Sequence, residues 1–181
     1  MKWVGSGTAT EIITVDDTLK QHCKLVGTGT TYDTLLTSYI KAAGNILERK
    51  INTPLRWPDV TVYITTYRDC LIKLPANIDE ITTYEYLQND EWIEQTFTDI
   101  VRSDYQLYTE LKSSEIKDCT DYKITCTATL NSDEMLKNAC RILVSTMFEN
   151  NENQHLKATG GVTNYDTILD AFLAGYVAHN L

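Results

Sequence analysis

The sequence predicts an α+β fold that is mainly α: a helical bundle with a β-rich hairpin insertion between its two long helices and a C-terminal helix or tail. Two stretches, residues 33–55 and 133–150, carry apolar side chains at helical spacing. The residues between them are rich in Thr, Tyr and Val, which favour strands. Because two apolar helix stripes are buried most cheaply against each other, we expect the long helices to form the core of the bundle.

Periodicity and capping residues predict helices at about residues 15–26, 31–52, 133–150 and 165–177. The expected core positions of the two long helices are Leu36, Ile40, Ala43, Leu47, Leu136, Ala139, Leu143 and Met147. The β-rich insertion is expected over about residues 59–130, with strands at 60–67, 70–74, 81–88, 91–98, 105–112 and 122–130. Asn89 and Asp90 predict a tight turn between two of these strands.

Length and composition predict one domain over residues 1–181. With 43% hydrophobic and 23% charged residues, the chain can bury one sizeable core. No apolar run approaches the roughly 18 residues of a membrane span, and the first residues lack the apolar stretch of a signal peptide. We therefore expect a protein that is made and kept in the cytosol and does not enter a membrane.

The cysteines argue against a disulfide framework and against a zinc site. There are five, an odd number, and none forms a CxxC pair. Buried or inert thiols are the favoured interpretation, and a bridge between Cys119 and Cys126 across a hairpin is the minor alternative. The cysteines are Cys23, Cys70, Cys119, Cys126 and Cys140.

The net charge of −9 excludes a generic nucleic-acid binder, because phosphate contact requires clustered Lys and Arg. Acidic residues are frequent in the predicted insertion: Glu80, Glu85, Asp90, Glu91 and Glu94. A solvated face is the common explanation for such a pattern. The functional alternative is a surface that DNA slides past without binding, which would carry the same sign as DNA.

Enzymatic interpretations find little support in the sequence. Residues 26–31, VGTGTT, place glycines before a helix but lack the lysine of a Walker motif and the full GxGxxG spacing, so a plain inter-helix loop is favoured. His22, His155 and His179 have no second ligand at metal-binding spacing. Neighbouring carboxylates are expected by chance in an acidic chain. We therefore expect no enzymatic activity, cofactor or metal.

The order of several motifs resembles the head-to-tail connector proteins of tailed bacteriophages, also called adaptor or head completion proteins. The motifs are KQHCKL, DTLLTSYIKAAGNILERKINTPL, LIKLP before a hairpin, EMLKNACRILVSTMFENNEN and LDAFLAGY, and they cover most of residues 13–176. Three departures stand out. Asn151 replaces the Arg that is usual near the end of the later helix in that family, the acidic insertion is longer than is typical, and the chain ends with a short VAHNL tail.

The resemblance implies a structural virion protein at the junction of portal and tail. Such a protein forms a closed ring of roughly twelve copies, extends the DNA channel without binding DNA specifically, and offers a surface for tail attachment. The expected partners are the portal protein and a tail or tail-completion protein.

The resemblance also suggests which segments face these partners. The candidate portal-docking residues are Ile168, Leu169, Phe172, Leu173, Tyr176 and Val177. The acidic hairpin, with Glu80, Glu85, Asp90, Glu91 and Glu94, is the candidate for the lumen or the tail side. A tail completion protein and a cytosolic DNA-packaging accessory protein are the alternatives.

Overall fold

The computed structural model describes residues 1–66, 71–75, 77–105, 108–129, 133–153 and 173. These residues form eight strands and three helices, which are numbered in chain order. The strands are β1 (Lys2–Ser6), β2 (Asp59–Thr65), β3 (Leu71–Pro75), β4 (Ile78–Gln88), β5 (Glu91–Glu94), β6 (Val101–Asp104), β7 (Tyr108–Lys112) and β8 (Asp121–Ala128). The helices are α1 (Asp17–His22), α2 (Asp33–Ile51) and α3 (Glu134–Asn153).

The prediction of a mainly α helical bundle is wrong, because the described part of the chain is mainly β. Its strands form two antiparallel sheets, with the strand orders β1-β2-β8-β4-β5 and β3-β7-β6. The region expected to be an insertion therefore has a core of its own. The sequence pattern predicts too much helix because long helices give a strong periodic signal, whereas strands of four to eleven residues each give a weak one.

Chain contacts divide the protein into two compact units. The strand unit contains Met1–Thr10 and the described residues of Asn52–Leu130, and the helical unit contains Glu11–Ile51 and the described residues of Asn131–Val177. The predicted single connector domain over residues 1–181 stays a prediction. None of the described helices is long and apolar enough to cross a membrane.

The core of the strand unit draws on both sheets. In β8 the buried side chains alternate with half-buried ones, so one face of the strand is directed into this core. Arg102 of β6 reaches from the smaller sheet and donates hydrogen bonds to the carbonyl oxygens of Ile78 and Asp79, each at 2.5 Å. The buried cluster consists of Val60, Val62, Ile72, Leu74, Ile78, Leu111, Ile116, Tyr122, Ile124, Cys126 and Ala128.

Strand β1 is held in place by a close contact with an aromatic ring. Its five residues pair in antiparallel register with β2. Gly5 leaves no space above its Cα, because a Cβ built there would lie 2.2 Å from Cγ of Trp57. Only a glycine allows the Trp57 ring to lie directly on this strand.

In the helical unit, α2 packs against α3 as the apolar stripes predict. Seven of the eight expected core positions are buried, and Met147 is half-buried. Helix α2 ends where Asn52 takes a left-handed conformation, φ 51°, a common device for stopping a helix. Helix α1 begins where Oδ1 of Asp16 accepts a hydrogen bond from the backbone N–H of Leu19 at 2.7 Å.

Candidate interaction surfaces

The acidic hairpin is built from β4 and β5. Its turn residues Asn89 and Asp90 have φ values of 52° and 66°, the conformation of a type I′ turn, as the sequence predicts. Strand β5 is an edge of the five-stranded sheet, and all four of its side chains are exposed. The hairpin therefore presents Asp90, Glu91 and Glu94 to solvent, and Glu80 is exposed at the far end of β4.

A row of five side chains, four of them charged, crosses the outer face of this sheet, the face turned away from the core. Cross-strand register joins, in order, Lys2, Tyr63, Lys123, Glu85 and Glu94, with one residue from each strand. Nζ of Lys123 lies 2.6 Å from a carboxylate oxygen of Glu85, so this pair is neutralised within the row. Glu94 lies directly opposite Glu85, an unfavourable pairing of like charges. The outer face is therefore positive at its β1 edge and negative at its β5 edge.

Aromatic rings form a shallow cleft on the same outer face. The ring of Trp92 meets that of Tyr63 edge to face, with their centroids 6.0 Å apart. Together with Met1, Lys2 and Asp121 they line a cleft of about 390 Å³. A half-exposed Trp beside a Tyr offers a partner a large apolar area at small entropic cost.

The predicted portal-docking residues lie almost entirely outside the described residues. Only Leu173 is described; it is helical and 1% exposed. Docking through Leu173 would require this side chain to leave its present contacts. The other five candidates lie outside the described residues, and their docking role stays a prediction: Ile168, Leu169, Phe172, Tyr176 and Val177.

The glycine-bearing loop after α1 lines a depression of about 670 Å³. Its nearby cation, Lys20, is already engaged: Nζ lies 2.7 Å from Oδ1 of Asp33 and donates a hydrogen bond to the carbonyl of Gly29 at 2.5 Å. A phosphate would have to displace both oxygens. The geometry therefore favours a loop that joins α1 to α2 over an anion site.

Metal binding and thiol chemistry are two further possibilities for a site in the described residues. No cluster of three or more His, Cys, Asp or Glu could hold a metal ion there. Cys119 and Cys126 are both thiols, so the minor disulfide alternative is wrong. Burial raises the pKa of Cys126 to about 12, and burial together with the carboxylate of Glu149 raises the pKa of Cys23 to about 11, which keeps both thiols protonated at neutral pH.

Comparison with known proteins finds a similar fold in chains of two solved structures. No protein-family model matches the chain, and no curated protein matches it. A chain from a solved structure titled "Neck of empty GTA particle computed with C6 symmetry" matches with a TM-score of 0.68 at 15% identity, covering 100% of this chain and 98% of that one. This chain therefore shares its fold with a chain in the neck structure of that particle.

A second solved structure gives the same result. A chain from "Virion of native gene transfer agent (GTA) particle" matches with a TM-score of 0.66 at 14% identity, again over 100% of this chain and 98% of that one. The aligned length therefore includes both the strand unit and the helical unit. At such low identity the comparison establishes the fold only.

Sequence reasoning located the acidic hairpin but missed the basic edge on the same sheet. Residues 2–6, KWVGS, show no clear alternation, and a glycine in a short segment lowers its strand propensity. The signal that could have identified the strand is the isolated Trp3, whose half-buried ring packs against the core of the strand unit. Without β1, the opposite charge of Lys2 could not be related to that of Glu94.

Proposed function

We propose that this chain is a non-enzymatic structural protein of the neck of a tailed-phage-like particle, where it forms a ring between portal and tail. The observation that carries the proposal is the full-length fold match with a chain of a gene transfer agent neck. The order of helix and hairpin motifs, which resembles phage head-to-tail connectors, supports it independently.

The same comparison supports the proposed ring. The neighbouring neck was computed with sixfold symmetry, and a ring of roughly twelve copies, as the connector resemblance implies, contains a sixfold axis. In a closed ring each copy contacts the next through two different surfaces. A chain of this kind therefore needs two complementary patches, and the two edges of its larger sheet differ in charge.

The acidic surface suits a channel for DNA. The chain carries a net charge of −9, and the hairpin exposes Glu80, Asp90, Glu91 and Glu94. A negative wall repels phosphates and lets the duplex pass without being held. If the hairpin faces the lumen, its carboxylates would repel the DNA in this way. If it faces the tail, the same carboxylates would be available for ion pairs with the tail protein.

Portal docking by residues 165–181 completes the proposal and rests on the sequence pattern of Ile168, Leu169, Phe172, Leu173, Tyr176 and Val177. An apolar helix face after a polar, glycine-bearing linker suits a segment that docks on a partner. The tail completion role is the second candidate. It keeps the ring but moves the contact from the portal to the tail.

The test combines the purified chain with the portal protein of its own particle, followed by size exclusion with mass determination and negative-stain imaging. We expect a stoichiometric ring on the portal that is lost when residues 165–181 are deleted. Since Leu173 is buried, the deletion is paired with the milder Tyr176→Asp variant, and Met135→Asp on an exposed position of α3 is the control. Rings that bind tail protein and ignore the portal would support the tail role, and no association with either would overturn the proposal.

A further inference from the structure

Both outer strands of the five-stranded sheet have a backbone edge that pairs with no described strand. Strand β1 lies at one end of the sheet and β5 at the other. In β1 the side chains of Lys2, Val4 and Ser6 are exposed, and in β5 every side chain is exposed. Strand edges with unpaired N–H and C=O groups are templates for pairing with another chain.

Exposed apolar side chains are concentrated on these two strands. Seven large hydrophobic side chains are exposed in the described part of the chain, and three of them lie here. Val4 of β1 is 47% exposed, and Trp92 and Ile93 of β5 are 38% and 37% exposed. Each of the two sheet edges therefore offers at least one exposed apolar side chain to a neighbouring strand.

The charges of the two edges are complementary. Lys2 and Glu94 stand at opposite ends of the cross-strand row and on the same face. Neither makes an ion pair with another described residue, whereas Lys123 and Glu85 between them pair with each other. Contact between two β5 edges would oppose acids with acids, and contact between β5 and β1 would oppose acids with a lysine.

We infer that β5 of one copy pairs with β1 of the next copy, so that the five-stranded sheet continues from subunit to subunit. This inference rests on the proposed function, because it names the contact by which the ring would close. The contact is heterologous, using two different patches of each subunit, as a ring requires. A symmetric dimer through β5 is disfavoured by Glu91 and Glu94.

The sheet topology also gives the direction of the new strand pair. Four successive antiparallel pairings separate β1 from β5, so these two strands run the same way. Rotation about a ring axis that lies along the strands preserves this direction. The pairing between copies is then parallel, with Lys2 of the next copy on the same face as Trp92 and Glu94.

The competing explanation is that the edge charges prevent pairing of any kind, a common use of Lys and Glu on edge strands. Charges of one sign on both edges would prevent self-pairing better than opposite charges do. A role in preventing strand pairing also does not explain why the apolar side chains of Val4 and Ile93 are exposed on the same two strands. Pairing between copies accounts for both features.

The test exchanges the two edge charges and follows assembly by mass photometry of the full chain on its portal. Lys2→Glu alone and Glu94→Lys alone place like charges at every subunit contact, and we expect each to weaken assembly about tenfold. An equimolar mixture of the two variants is expected to recover wild-type assembly. In a ring in which the two variants alternate, the β1 edge that carries Lys2→Glu lies against the β5 edge that carries Glu94→Lys. At the next contact the unchanged β5 edge lies against the unchanged β1 edge, so opposite charges face each other at every contact.

The double variant Lys2→Glu/Glu94→Lys is expected to assemble as the wild type does, because both edges are reversed together. Asp118→Lys, at an exposed position in the turn before β8 and outside both edge strands, is the control that carries the same change of charge as Glu94→Lys. Circular dichroism of each variant checks that it is folded. Recovery in the mixture, with the single variants impaired, supports the edge pairing.

Two results would overturn it, and they separate it from the proposed function. Single variants that build rings as well as the wild type, or a mixture that does not recover, would refute the edge pairing and leave the ring intact. A wild-type chain that forms no ring with its portal would refute both.

Discussion

The contact between Gly5 and Trp57 gives the most quantitative prediction about stability. A Cβ at position 5 would lie 2.2, 2.3 and 2.8 Å from three atoms of the Trp57 ring, whereas ordinary contacts begin at 3.4 Å. The ring or the strand must therefore move by about 1.2 Å, which is 3.4 minus 2.2. Overpacking of this kind costs about 1–3 kcal/mol, so we expect Gly5→Ala to destabilise the strand unit by about 2 kcal/mol.

Thermal and urea unfolding measure this cost, with an expected fall in Tm of about 4–8 °C for a chain of this length. Ser6→Ala, an exposed position on the same strand, is the control and should change stability by less than about 0.5 kcal/mol. The decisive comparison repeats Gly5→Ala in a Trp57→Leu background, where most of its cost should disappear. Equal costs in both backgrounds would refute the steric explanation.

Three further predictions concern other parts of the molecule. Leu143 of α3 is 1% exposed, and Leu143→Ala should lower the free energy of unfolding in urea by about 2–5 kcal/mol. Met135 on the same helix is 45% exposed, and Met135→Ala should lower it by less than about 0.5 kcal/mol; similar losses would contradict the α2–α3 interface. When the chain is treated with a thiol reagent and the labelled peptides are mapped, the exposed Cys119 should react at least about tenfold faster than the buried Cys126, whose pKa is raised to about 12. Equal rates would contradict the burial of Cys126. Hydrogen bonds from Ser113 and Ser114 lower the pKa of Asp99 from 3.8 to about 2, so the stabilising effect of this carboxylate is complete above about pH 4 and is lost as the pH falls toward 2. The difference in Tm between wild type and Asp99→Asn should therefore shrink over that range, and a constant difference would refute the effect.

Elements with strong periodicity could be predicted from sequence. The sequence predicts α2 at about 31–52, and the helix spans Asp33–Ile51. It predicts α3 at about 133–150, and the helix spans Glu134–Asn153. The turn at Asn89 and Asp90 was predictable because these residue types tolerate the positive φ values that a type I′ turn requires. In each case a local rule agrees with the final structure.

Elements that depend on distant partners could not be predicted. Strand β1 pairs with β2, more than fifty residues away, and its close approach to Trp57 is visible only in three dimensions. Strand β6 carries mostly polar residues and is tied down by Arg102, which bonds to carbonyl groups of β4. Missing two strands and treating the β region as an insertion produced the wrong fold class.

The candidate surfaces show the same division. The acidity of the hairpin is a local property, and the exposed positions of Asp90, Glu91 and Glu94 agree with it. The charge row is not local, because each of its five residues comes from a different strand. Only the sheet order brings the lysine of β1 and the glutamates of β4 and β5 onto one face.

The central claim is that this chain forms a ring in the neck of a virion, and single-particle cryo-EM of the chain bound to its portal tests it most directly. We expect a closed ring coaxial with the portal, with the sheets of adjacent copies continuous at β5 and β1 and a central channel wide enough for duplex DNA. Isolated copies bound at scattered sites, or portal without added density, would contradict the account.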